Sequence, residues 1–213
     1  MKSTMTSISR RAAVALLAMP TLATAVQSPK LMVFGDSISA GFGLLPGEGW
    51  VQLLAMRLQP YGISVVNTSR SGETTKAGVP HLDADLRKHA PTHLIIELGV
   101  NDALRGLDMD EAKQNLLSMI RRAQSLGISV GLVGMQASTA VGRPKPADQA
   151  ALYREVANAT GVHLVPYLLE GIGLKPGSEK YLQADRLHPN KEAQVFMLEN
   201  AWPMVQKLLQ LPP

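Results

Sequence analysis

Leu31-Met32-Val33-Phe34-Gly35-Asp36-Ser37-Ile38-Ser39 joins a short apolar run to a glycine turn that carries a serine. The run is strand-like: short, wholly apolar, and closed by a turn residue. Four more runs of this kind follow, at Ser64–Asn67, Leu94–Leu98, Ser129–Gly134 and Val162–Val165. Helical periodicity fills the gaps between them. Trp50, Leu53, Leu54 and Leu58 share a face, as do Leu116, Ile120 and Ala123, and then Leu152, Val156 and Ala159. A last helix carries Ala193, Met197, Ala201 and Val205 at four-residue spacing, and Pro203 is expected to kink it. Strands alternating with helices predict βαβ units and a parallel sheet. The expected fold is α/β: a three-layer α/β/α sandwich around a five-stranded, flavodoxin-like sheet of order 2-1-3-4-5.

That fold says where to look for chemistry. Sites in open α/β sheets form outside the carboxyl ends of the strands. Ser37 follows the first strand, Ser69-Arg70-Ser71-Gly72 the second, and Gly99-Val100-Asn101-Asp102 the third. Asp185-Arg186-Leu187-His188-Pro189 precedes the last helix and can fold over the same edge. A serine needs a base to become a nucleophile, and His188 is the candidate. Asp185, three residues earlier, can accept a hydrogen bond from the other imidazole nitrogen and fix the tautomer. Pro189 biases His188 toward an extended backbone and suits the first position of the following helix. Acyl transfer also needs donors for an oxyanion. The backbone N–H groups of Ser37 and Gly72 and the side-chain amide of Asn101 are the candidates. Gly72 tolerates positive φ and lets backbone approach a substrate closely.

Each piece has a plainer reading. A lone serine after a Gly-Asp turn is more often a helix cap, and Asp185-x-x-His188 alone is a loop hydrogen bond. Their joint occurrence with the Gly72 and Asn101 segments favours catalysis. Asp36 and Asp102 are expected to organise their loops. Ser39, Ser69 and Ser71 lack a matching base. His81, His89, His93 and His163 read as surface or strand-end residues.

These segments resemble the blocks of the SGNH, or GDSL-type, hydrolases. They are Gly35-Asp36-Ser37-Ile38-Ser39, Asn67-Thr68-Ser69-Arg70-Ser71-Gly72-Glu73-Thr74, Gly99-Val100-Asn101-Asp102 and Asp185-Arg186-Leu187-His188-Pro189, in order. Glu97-Leu98-Gly99-Val100-Asn101-Asp102-Ala103-Leu104-Arg105-Gly106 looks like the thioesterase I, lysophospholipase and arylesterase branch. The resemblance implies catalytic Ser37, Asp185 and His188, an oxyanion hole of Ser37, Gly72 and Asn101, and hydrolysis of esters and thioesters with no metal or other cofactor. It further implies a small-molecule ester, thioester or lysophospholipid substrate, transient contact with lipid, and a monomer. Val100 and Ala103 replace the branch's usual glycines and should stiffen the Asn101 loop. Arg70 and Arg186 replace smaller or apolar residues, so either one at the site mouth would bias the substrate. Met135–Ala147, which lines the acyl groove in the branch, is poorly matched.

Other readings stay open at this point. A carbohydrate O-acetylesterase would use the same catalytic set. A classical α/β-hydrolase would have G-x-S-x-G, but Ser39 occupies the last glycine's place. A metal-dependent phosphoesterase would use Asp36, Asn101, Asp102, Asp185 and His188 as ligands, yet no paired H-x-H spacing supports it. A non-catalytic binding module is the remaining alternative.

The chain has no cysteine, which removes thiolate chemistry and disulfides. Residues 1–25 read as a signal peptide: Arg10-Arg11 close a positive region, an apolar stretch follows, and Ala23-Thr24-Ala25 forms the cleavage site. Both the general secretory and the twin-arginine routes fit. Residues 26–213 then form one hydrolase domain, periplasmic or secreted. The leader holds Lys2, Arg10 and Arg11 and no acid, so its removal takes the formal charge from +4 to +1. So weak a positive charge gives no footing for nucleic acid.

Overall fold

The computed structural model describes residues 28–137 and 145–212. The leader and its cleavage site lie outside the described residues. Strands β1 (Lys30–Gly35), β2 (Ser64–Asn67), β3 (His93–Glu97), β4 (Ser129–Val133) and β5 (His163–Val165) form one parallel sheet in the order β2-β1-β3-β4-β5. Between and after them run α1 (Ser37–Ala40), α2 (Trp50–Leu58), α3 (Thr75–His89), α4 (Val100–Leu104), α5 (Met109–Ser125), α6 (Pro146–Thr160) and α7 (Lys191–Leu209). No helix among the described residues is long and apolar enough to cross a membrane.

Side-chain alternation along the strands divides the core in two. Leu31 and Val33 of β1 and Ile95 of β3 point into the cluster packed by α2 and α7. Met32 and Phe34, with Leu94 and Ile96, point into the cluster packed by α3, α5 and α6. Both sheet faces are therefore covered, which is why the strands read as unbroken apolar runs. Trp50, Leu54 and Leu58 are fully buried, and each contributes about 1.5–3 kcal/mol by leaving water. Ala193, Met197, Ala201 and Val205 likewise form the buried stripe of α7.

Small departures from the sequence reading have local causes. β3 ends at Glu97, because the chain turns at Gly99, whose φ of 118° only glycine adopts readily. On α6 the buried apolar positions are Leu152, Tyr153, Val156 and Ala157, whereas Ala159 is exposed. The helix rolls so that the Tyr153 ring enters the core. α7 is a single helix from Lys191 to Leu209 with Pro203 inside it. Pro189 does not occupy its first turn: Asn190 is the N-cap, accepting from the Ala193 N–H at 3.2 Å. A side chain that can cap sets the start, and proline cannot.

Candidate active site

The first turn of α1 presents Ser37. Asp36 caps this helix, its Oδ1 accepting from the Ile38 N–H at 2.9 Å, so the serine occupies the first helical position instead of serving as the cap. Its Oγ lies 2.9 Å from His188 Nε2, and His188 Nδ1 lies 2.7 Å from Asp185 Oδ2. Asp185 Oδ1 meanwhile accepts from the N–H groups of Leu187 and His188, at 2.9 and 3.0 Å. Arg186 takes φ +58° to let the loop fold back in this way. Partial burial of the Asp185 carboxylate opposes its charge. The hydrogen bonds from His188 and Leu187 outweigh that and hold its pKa at about 2. The group is thus an anion wherever His188 has to act as a base.

Long-range contacts hold the loop in place. Gln183 Nε2 donates to the Phe42 carbonyl at 2.7 Å, on the serine side, and to the Pro189 carbonyl at 3.0 Å. The Phe42 ring packs on the His188 imidazole with centroids 4.5 Å apart. Gln194, fully buried on α7, accepts from the Trp50 N–H at 3.0 Å and donates to the Pro189 and Asn190 carbonyls. These three residues had no role in the sequence reading. Nothing in the local pattern around Gln183, Gln194 or Phe42 marks a long-range partner.

Gly72 and Asn101 face the same opening. Gly72 has φ +77°, and its carbonyl accepts from Arg105 Nη2 at 2.8 Å, which fixes the peptide plane. Asn101, in α4, directs Nδ2 to Asp36 Oδ2 at 2.9 Å and to the Glu73 carbonyl at 3.0 Å. Both amide protons are therefore engaged here, and donation to an oxyanion requires one of them to be released. Asp102 organises its loop, taking the Thr75 N–H and hydroxyl at 2.9 and 2.7 Å. Arg70 turns away from the opening: it pairs with Asp85 through two bonds of 2.8 and 3.0 Å and lies over Phe34. Arg186 does line the opening.

The opening is a cavity of about 570 Å³ whose wall includes Ser37, Gly72, Asn101 and His188. Most of its remaining wall is apolar, with Ile38, Val100, Leu104, Met135, Leu169 and Leu174. Residues 138–144, part of the segment expected to line an acyl groove, lie outside the described residues.

The serine, histidine and aspartate singled out in the sequence thus stand in one hydrogen-bonded chain at the carboxyl edge of this sheet. The pattern of the GDSL-like Lipase/Acylhydrolase family matches residues 33–195. The chain belongs to this family. It is similar to Esterase TesA of Pseudomonas aeruginosa, 40% identical over 195 residues that cover 91% of this chain and 96% of the relative. It is also similar to Thioesterase 1/protease 1/lysophospholipase L1 of Escherichia coli strain K12, 33% identical over 175 residues, 82% of each chain. The crystal structure of TesA superposes with a TM-score of 0.78 at 41% identity, covering 84% of this chain and 99% of that one. As a member of the GDSL-like family the protein is a carboxylic ester hydrolase acting on small-molecule esters. The five-stranded three-layer fold expected from the sequence is the fold of these relatives.

Proposed function

We propose that the protein cleaves its esters through an acyl-enzyme on Ser37. The observation that carries this reading is the unbroken relay from Asp185 through His188 to Ser37, opening into an apolar cavity. Ser37 Oγ attacks the carbonyl carbon while its proton passes to His188 Nε2. The imidazolium is stabilised by Asp185. The tetrahedral oxyanion takes the N–H groups of Ser37 and Gly72, and Asn101 joins them by exchanging one of its present bonds. Collapse expels the alcohol or thiol, which leaves with the proton from His188. A water then repeats the sequence on the acyl-enzyme and restores the serine.

The cavity has the size of a site for a small ligand, and its apolar wall suits an acyl chain of short to medium length. Acyl-thioesters and lysophospholipids present the same carbonyl to the serine, and the names of the relatives support including them. We also infer that the leader is removed after Ala25 and that the mature chain works as an exported monomer.

The deciding experiment is Ser37→Ala assayed on p-nitrophenyl butyrate. Turnover should fall on the order of 10⁶-fold with the fold intact. A variant that still cleaves at the wild-type rate removes Ser37 from the mechanism. A p-nitrophenyl ester series from acetyl to palmitoyl should peak below palmitoyl, and an optimum at palmitoyl would refute the proposed chain length.

A further inference from the structure

Beneath the nucleophile turn lie two carboxyl groups that the mechanism does not use. Gly35 and Glu97 are register partners on β1 and β3, and a Cβ built on Gly35 would fall 2.8 Å from Glu97 Oε2. Glycine therefore lets the Glu97 side chain pass under the turn. There Glu97 Oε2 meets the Ser39 hydroxyl at 2.8 Å, and the backbone N–H groups of Asp36 and Ser39 face the same carboxyl. Its Oε1 is buried with no hydrogen-bond partner. Asp36, beside it, is also fully buried, but both of its oxygens accept: Oδ1 from the Ile38 N–H and Oδ2 from Asn101 Nδ2.

No Lys, Arg or His among the described residues bonds to either carboxyl. No group of three or more carboxylates and imidazoles there is arranged to hold a metal ion. Two adjacent buried carboxyls without a cation strongly resist taking a second charge, so one of them stays neutral until the pH is well above the ordinary carboxylate range. The hydrogen bonds decide between them. Each oxygen of Asp36 receives an N–H donor, whereas Glu97 Oε1 receives none, so the charge is better placed on Asp36.

We propose that Glu97 is a positioning residue that latches the Gly35–Ser39 turn from beneath as a neutral acid, leaving the single charge of the pair on Asp36, which orients Asn101. The proposal rests on Ser37 being the nucleophile. Ionisation of Glu97 would set a second negative charge against Asp36 and shift the turn that carries Ser37. The other groups facing the pair reinforce this. Asp102 of α4 and Glu73 ahead of α3 add to the negative potential at Asp36, and His81 is bonded to Glu73 rather than to the pair. From α6 the Tyr153 hydroxyl donates to the Leu98 carbonyl, and burial keeps that phenol neutral. Burial raises both carboxyls, and their mutual repulsion adds to it at Glu97.

Three variants test the idea through kcat, KM and their pH dependence on p-nitrophenyl butyrate. Glu97→Gln keeps a neutral, isosteric group and should retain kcat within about threefold. Glu97→Ala should lose on the order of 10²-fold in kcat with KM little changed, the size of effect that follows from a misplaced reacting group. Wild-type kcat should decline toward alkaline pH as Glu97 ionises, and Glu97→Gln should lack that decline. The proposal is overturned if Glu97→Gln is as damaging as Glu97→Ala, if it fails to fold, or if it keeps the wild-type alkaline decline. Ser37→Ala in parallel separates the cases: full activity there defeats the nucleophile assignment whatever Glu97 does.

Discussion

The aspartate of the relay shows how single residues divide their work. One oxygen of Asp185 holds the imidazole and the other holds the backbone of its own loop, so the carboxylate both shapes the loop and tunes the base. Asp185→Asn should therefore leave the fold in place while lowering kcat about 10⁴-fold, because an amide can present Nδ2–H to the ring and select the wrong tautomer. Kinetics together with a thermal melt would check this; an unchanged kcat would show that Asp185 only shapes the loop. Gly72 is constrained differently. Its φ of +77° is strained for any L side chain, and an added Cβ would lie 3.1 Å from Arg105 Nη2, which holds the Gly72 carbonyl. Gly72→Ala should lower kcat more than it raises KM, since in the proposed mechanism its N–H is a donor needed only after attack.

Among the elements, the entry to α7 couples stability to catalysis. Asn190 caps the helix and also donates to the Lys180 carbonyl at 2.7 Å. Pro189 directly before it receives hydrogen bonds from Gln183 and Gln194. His188 thus stands directly before a segment that hydrogen bonds hold in place. Removing the cap by Asn190→Ala should cost about 1 kcal/mol in urea unfolding and also reduce kcat. If kcat stays at the wild-type level while stability drops, the cap holds the helix without holding the histidine. The amphipathic patterns of α2, α5 and α7 were legible in the sequence, since buried stripes at helical spacing are a local property. The start of α7 was misread because two capping signals, Pro189 and Asn190, stand side by side.

In the molecule as a whole, the three-layer packing buries acidic groups that the sequence scatters over separate loops. Asp36 titrates at about 7, raised chiefly by burial. Below the ordinary carboxylate range the group is neutral folded or unfolded and costs nothing, and its buried charge takes away stability as pH rises from there to about 7. Half-buried His93 is lowered by burial and works in the opposite direction in the same interval, but far less deeply enclosed. The melting temperature should accordingly fall between about pH 4 and about pH 7. Scanning calorimetry across that interval tests it, and a flat or rising curve would mean that the buried acids are relieved in some other way.

The strand and helix alternation, the sheet order and the positions of Ser37, Gly72, Asn101, Asp185 and His188 were all readable from the chain. The alternation and the separate segments rest on short-range pattern, whereas the sheet order followed from the regularities of doubly wound folds and the site from the joint occurrence of its segments. The supports of the site were not. Gln183 reaches Phe42 across 141 residues, Gln194 reaches Trp50 across 144, and Glu97 reaches Ser39 across 58. The site distances themselves, and the engagement of Asn101 by Asp36, also required the folded chain. A polar residue announces its type in the sequence, but its partner is set by which strands and helices pack together, and that packing is a property of the whole core.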